Sequence, residues 1–135
     1  MAEPVLLDAS ALLAYLHREP GFEVVRQAVR GGAAIGAVNL AEVLGKVREK
    51  GRDAARIHTA LGALGLTVLP FDEGDAALAG ELSPLAKSHG LALGDRACLA
   101  QGDAPEDAGA HRRPGLGHAR PRGRGAGDPV DFRSL

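Results

Sequence analysis

Three acidic side chains stand where they could do chemistry together. Asp8 follows the apolar run Val5 to Leu7, Glu42 lies in the amphipathic stretch "NLAEVLGKV", and Asp95 belongs to "GDRAC". Each also has an ordinary use. Asp8 suits an Asx turn into a helix. Glu42 lies about 200° around a helix from Leu40, on the face opposite the apolar stripe, which marks a solvated surface. Asp95 sits in a first helical turn, where free amides and the helix dipole favour a carboxylate. Taken jointly the three form an all-oxygen set suited to Mg²⁺ or Mn²⁺, because hard cations prefer carboxylates and water to imidazole or thiolate. No comparable nitrogen or sulfur set exists. His17, His58 and His89 are scattered, without an i, i+4 pair for zinc, and Cys98 is the single cysteine. That cysteine reads as a small buried hydrophobe.

The elements that must position these acids follow from periodicity. Short apolar runs alternate with helical patterns, the mark of an α/β domain with a parallel sheet and helices on both faces. Val5 to Leu7 reads as the first strand, which places Asp8 at its carboxyl end, the edge where open α/β sheets form their ligand crevice. Ser10 stands as the N-cap of a helix through Leu16, broken at Pro20 and Gly21. A helix over Phe22 to Arg30 and a strand over Ala33 to Val38 come next. Asn39 is expected to cap a helix with the stripe Leu40, Val43, Leu44 and Val47, ended by Gly51. Asp53 to Leu64 is a further helix and Leu66 to Leu69 the third strand. Asp72 opens a helix interrupted at Pro84 and closed near Gly90. A last helix starts at Gly94 or Asp95 and runs through Cys98.

Composition narrows the class. The chain has 135 residues, 45% hydrophobic but only 3% aromatic, with 16 Lys plus Arg against 17 Asp plus Glu. One domain with a core of Leu, Val and Ala is expected, and a net charge of -1 removes any argument for nucleic-acid binding from bulk basicity. One cysteine suits a reducing compartment, and Asp8 breaks the first apolar run too early for a signal peptide or a membrane span. A cytoplasmic location is therefore expected.

The strings "VLLDASALLAYLHREPG", "NLAEVLGKV", "LPFDEGDAALAGEL" and "HGLALGDRACLA", in this order and spacing, resemble the PIN-domain ribonucleases, particularly the VapC-type toxins of bacterial toxin-antitoxin pairs. The resemblance covers residues 3 to 100 and implies a PIN-like three-layer fold. It implies that Asp8, Glu42 and Asp95 are the metal-binding catalytic acids, that Ser10 lies beside the metal or a phosphate, and that the cofactor is Mg²⁺ or Mn²⁺. The solvated face of the Glu42 helix would then floor an acidic crevice. Arg96, with Lys46 and Arg48, would be the cations nearest an RNA substrate. A cognate antitoxin and a homodimer are the implied protein partners. A catalytically inactive relative that still binds an antitoxin is the alternative. A receiver-like phosphoacceptor would want a paired acidic site and a strand-end Lys, which are not found.

The chain changes character near residue 100. Residues 101 to 135 hold 7 of the 19 Gly, 4 of the 8 Pro and 6 Arg, with Leu116, Val130, Phe132 and Leu135 as the large hydrophobes. Such a segment buries too little apolar surface to offset its ordering entropy, so it reads as a divergent, poorly packed tail following a domain of residues 1 to 100. The family pattern continues instead into a further strand ending on a fourth acid. The C-terminal strands are therefore expected to be missing, weakening the core beside the first strand. The tail's Arg, Gly, Pro and Ala are also what GC-rich DNA yields out of frame, and a one-base shift from Asp107 permits "TPVLTADRAWATLDLGVEVRVIR".

Overall fold

The apolar runs become strands and the periodic stretches between them become helices in a computed structural model, which describes residues 5–102, 117–118 and 131–135. The order is β1 (Val5–Leu7), α1 (Ala9–Leu16), α2 (Phe22–Arg30), β2 (Ala34–Gly36), α3 (Ala37–Glu49), α4 (Ala54–Leu64), β3 (Thr67–Leu69), α5 (Glu73–Glu81), α6 (Ser83–His89), α7 (Leu93–Gly102) and β4 (Gly117–His118). A single 3-10 turn, Phe132–Ser134, follows. All strand pairs are parallel, in the order β3-β2-β1-β4. Leu6 aligns with Ala34 and Leu7 with Ile35, so alternate side chains leave the two faces in step.

That alternation divides the core. Leu7 and Ile35 point to a large cluster with Leu12, Tyr15, Leu16, Val29, Val43, Val47, Ile57 and Leu61, which come from α1, α2, α3 and α4. Leu6 and Ala34 point the other way, toward Cys98 of α7. Helices on both faces cover β1 and β2, which is why their sequences read as apolar runs rather than alternating ones, while β3 leaves Thr67 and Val68 exposed. The second face is thin and built from small residues: Ala97, Cys98 and Ala100 of α7 are all buried.

The helix starts explain several shifted boundaries. Asp8, not Ser10, is the N-cap of α1, its carboxylate accepting the Ala11 N–H at 2.8 Å. Aspartate caps as well as serine and comes first after the strand, so the helix begins at once and Ser10 lies exposed in its first turn. β2 stops at Gly36 rather than Val38, and Gly36 is the N-cap of α3. Asn39, expected to cap, is instead inside the helix and buried. Asp53 and Asp72 do cap, the latter in a reciprocal capping box with Asp75. Pro84 falls in the first turn of α6, where its missing N–H costs nothing.

The outer side of β1, left without a strand by the sequence, carries a short parallel pairing with β4, Val5 opposite Gly117 and Leu6 opposite His118. The rest of the expected poorly packed segment, 103–116 and 119–130, lies outside the described residues. Phe132 is only 1% exposed and meets the Tyr15 ring edge-on, with centroids 5.5 Å apart. Arg52 holds the backbone there: its guanidinium donates to the carbonyls of Phe132 and Leu16 and to Nδ1 of His17, and Asp53 N–H donates to Leu135 O. Removing the ring should therefore open a core cavity, and Phe132→Ala should lower unfolding free energy by about 3 kcal/mol in urea denaturation.

The same clasp makes stability depend on pH. Burial first, then the positive charges of Lys50 and Arg52, lower the His17 pKa, partly offset by Glu19. Accepting a hydrogen bond from Arg52 likewise requires neutral Nδ1. The unfolded chain binds the proton more readily, so this contribution is complete above about pH 6.5 and is lost as pH falls below it. Thermal midpoints should drop on acidification through that window, and His17→Gln should flatten this part of the profile.

Candidate active site

The carboxyl edge of the sheet is bridged by α7. Cys98 Sγ lies 4.0 Å from Leu7 O at the end of β1, and Gln101 Nε2 donates to Pro70 O, just past β3, at 3.2 Å. Between them, Gly36 at the end of β2 is so close to the Gln101 Oε1 that a β-carbon there would collide with it. Glycine is what allows the helix to sit this low across the strand ends.

A second glycine contact sets the acids. Asn39, on the inner face of α3, donates from Nδ2 to Gly94 O in α7 at 2.9 Å. One turn further along α3, Glu42 lays Oε1 against Gly94, where any β-carbon would overlap it. Glu42 thus reaches the residue next to Asp95, and its other oxygen lies 4.0 Å from Lys46 Nζ. Asp95 turns its Oδ2 back to accept the Ala92 N–H at 3.0 Å, the return half of a capping box at the start of α7. Asp8 stands exposed at the end of β1, capping α1. The three acids therefore stand on elements that meet at one edge of the sheet.

Their side chains are committed locally. Asp8 and Asp95 each cap a helix, and among the described residues no three His, Cys, Asp or Glu side chains are set to hold one ion. The donors fit a hard divalent cation in kind: all are carboxylates, two of them on facing helices brought together through Gly94. Joint coordination would require Asp8 and Asp95 to exchange their caps for the ion. The candidate cations differ among themselves. Lys46 and Arg48 are exposed, while Arg96 is half-buried with Nε enclosed and unpartnered among the described residues.

Two polar residues that position the site went unrecognised in the sequence. Asn39 falls on the same helical stripe as Val43 and Val47, at i+4 and i+8. A polar side chain on a buried stripe was the available signal, because a buried amide must find a partner. Gln101, fully buried, gave no such signal, since it stands where the composition turns to Gly and Pro.

The chain belongs to the PIN domain family, whose model matches residues 5–103. PIN domains are a nuclease fold, and PIN nucleases are generally metal-dependent and bind RNA. No curated protein and no solved structure matches the chain. No helix among the described residues is long and apolar enough to cross a membrane.

The Asn39 to Gly94 bond carries the alignment of α3 with α7. Asn39→Ala removes this buried bond, leaving the Gly94 carbonyl only its place in the helix ladder, and should cost about 0.5–1.5 kcal/mol in chemical denaturation. Gly94→Ala should be destabilising as well, through the displaced Glu42, and Glu42→Ala in the same chain should recover part of that loss.

Proposed function

We propose that this chain is a divalent-metal-dependent endoribonuclease of the VapC type, the toxin of a toxin-antitoxin pair acting in the cytoplasm, with Asp8, Glu42 and Asp95 as its catalytic acids. The observation that carries this reading is the meeting of β1, α3 and α7 at the carboxyl edge of the sheet of a PIN domain, each bringing one carboxylate. These three would hold Mg²⁺ or Mn²⁺. Such an ion, when bound, lowers the pKa of a water and offsets charge developing on the phosphodiester. The protein's own part is orientation. Asn39 fixes the backbone of α7 at Gly94, that backbone fixes where Asp95 starts, and Glu42 is held against the same glycine. Three carboxylates along one edge also repel a phosphate backbone until their charge is offset, so cleavage should be off without the metal.

RNA would approach over exposed Lys46 and Arg48, with Arg96 beside Asp95 and Ser10 two residues after Asp8 as polar contacts. An antitoxin and a second copy of the chain complete the proposed partners.

A second reading has its own support. The local commitment of Asp8 and Asp95 to helix caps favours an inactive PIN module that keeps the antitoxin interaction. Titration with Mn²⁺ followed by an RNA cleavage assay separates the two. The nuclease reading expects cleavage that needs the metal, is abolished by chelator and falls at least about a hundredfold in Asp8→Asn. Metal binding without cleavage, or no binding at all, gives the inactive module.

A further inference from the structure

The segment after α7 is at odds with the fold it follows. The PIN match ends at residue 103, one residue past the end of α7, yet 32 further residues follow. β1 is flanked on one side by β2 and on the other by Gly117–His118. Its own side chains are those of a strand covered on both faces, with Leu6 1% and Leu7 0% exposed. Glycine is among the poorest strand residues, with no side chain to pack on either face. The sheet is thus apolar up to β1 and then meets a segment whose residues do not suit a strand.

We infer that residues 107–130 are the out-of-frame reading of a gene segment whose other frame encodes the strands that complete the sheet beside β1. Reading from the second base of the Asp107 codon, the degenerate codons permit "TPVLTADRAWATLDLGVEVRVIR" followed by a stop at Val130. Three properties of that permitted string suit the side of the sheet beside β1. It is rich in Val and Leu where the present frame has Leu116 as the single large hydrophobe between 107 and 129. It opens with an apolar run ended by an Asp at the position of Arg113, the same order as β1 and Asp8 in this chain. It closes with "GVEVRVI", in which "VEVRV" alternates with period two, as in a strand with one covered and one solvated face. The stop codon then falls directly behind that strand.

The described end of the chain has a place in this account. Phe132 to Leu135 lie beyond the stop of the other frame and are held here by one aromatic contact and a few hydrogen bonds to Arg52 and Asp53. The inference does not rest on the nuclease reading and can fail or stand without it.

The nucleotide sequence of the gene tests it first. The other frame demands that Asp107 be encoded by GAC, Arg113 by a codon ending in GA, Leu116 by one ending in TG and Val130 by GTA. Any other base at these places overturns the inference. If the codons agree, one base is removed between the codons of residues 99 and 106, and both proteins are purified and melted without metal or RNA. The repaired chain should unfold more than about 5 °C above the present one. Equal or lower midpoints would show that the present tail is the proper end of this fold and would overturn the inference even with matching codons. Neither measurement reads nuclease activity, so a repaired chain that is stable but cleaves nothing would count against the proposed function and leave this inference supported.

Discussion

The close approach of α7 to α3 at Gly94 is the constraint on which the candidate site depends. Without a β-carbon at that position, the Glu42 carboxylate can rest on the α7 backbone, and Asn39 can reach the Gly94 carbonyl from the turn before. One buried hydrogen bond and one missing side chain therefore decide how far Glu42 stands from Asp95. A similar device operates two turns further along α7, where Gly36 admits Gln101 over the end of β2. Under α7 the sheet presents Leu6 and Ala34, and α7 meets them with Ala97, Cys98 and Ala100, small enough to let the helix lie close. Site and packing are thus set by the same choice of small residues.

The opposite face does different work. Its core of Leu, Val and Ile from α1, α2, α3 and α4 is much the larger, and it supplies most of the hydrophobic stabilisation. The Arg52 clasp sits at the rim of this cluster, tying Leu16, His17 and the Phe132 carbonyl to one guanidinium. Arginine suits that place because its fork can donate to several fixed acceptors at once. The large core and α7 therefore lie on opposite faces of one sheet, and α1 and α3 join them: Asp8 caps α1, whose Leu16 carbonyl Arg52 holds, and α3 carries both Glu42 and the core residues Val43 and Val47.

Much of this was legible in the sequence, for physical reasons. The α/β alternation, the element order and the position of Asp8 at a strand end all follow from apolar periodicity, which is a local property. Boundaries were less legible because competing caps stand close together: Asp8 outcompeted Ser10 by coming first, and Asn39 was taken up by a contact 55 residues away. Periodicity placed Glu42 on the solvated face, and it is indeed half-exposed there, with a side-chain exposure of 41%. What periodicity could not show is that α7 passes over that face through a glycine. The burial of Gln101 and Phe132 was equally hidden, since both stand in a composition that signals no packing at all.

The central claim is that the α3 and α7 contact assembles acids for a divalent cation at the carboxyl edge of the sheet. Crystals of the protein grown or soaked with Mn²⁺, measured for anomalous scattering, test it most directly. The account predicts a peak within coordination distance of Glu42 and Asp95, with the Asp8 carboxylate turned away from Ala11 toward the ion, at about 2.0–2.4 Å from each ligating oxygen. A map with no peak at that edge, or with manganese bound only by other groups while Asp8 and Asp95 keep their helix caps, would contradict it.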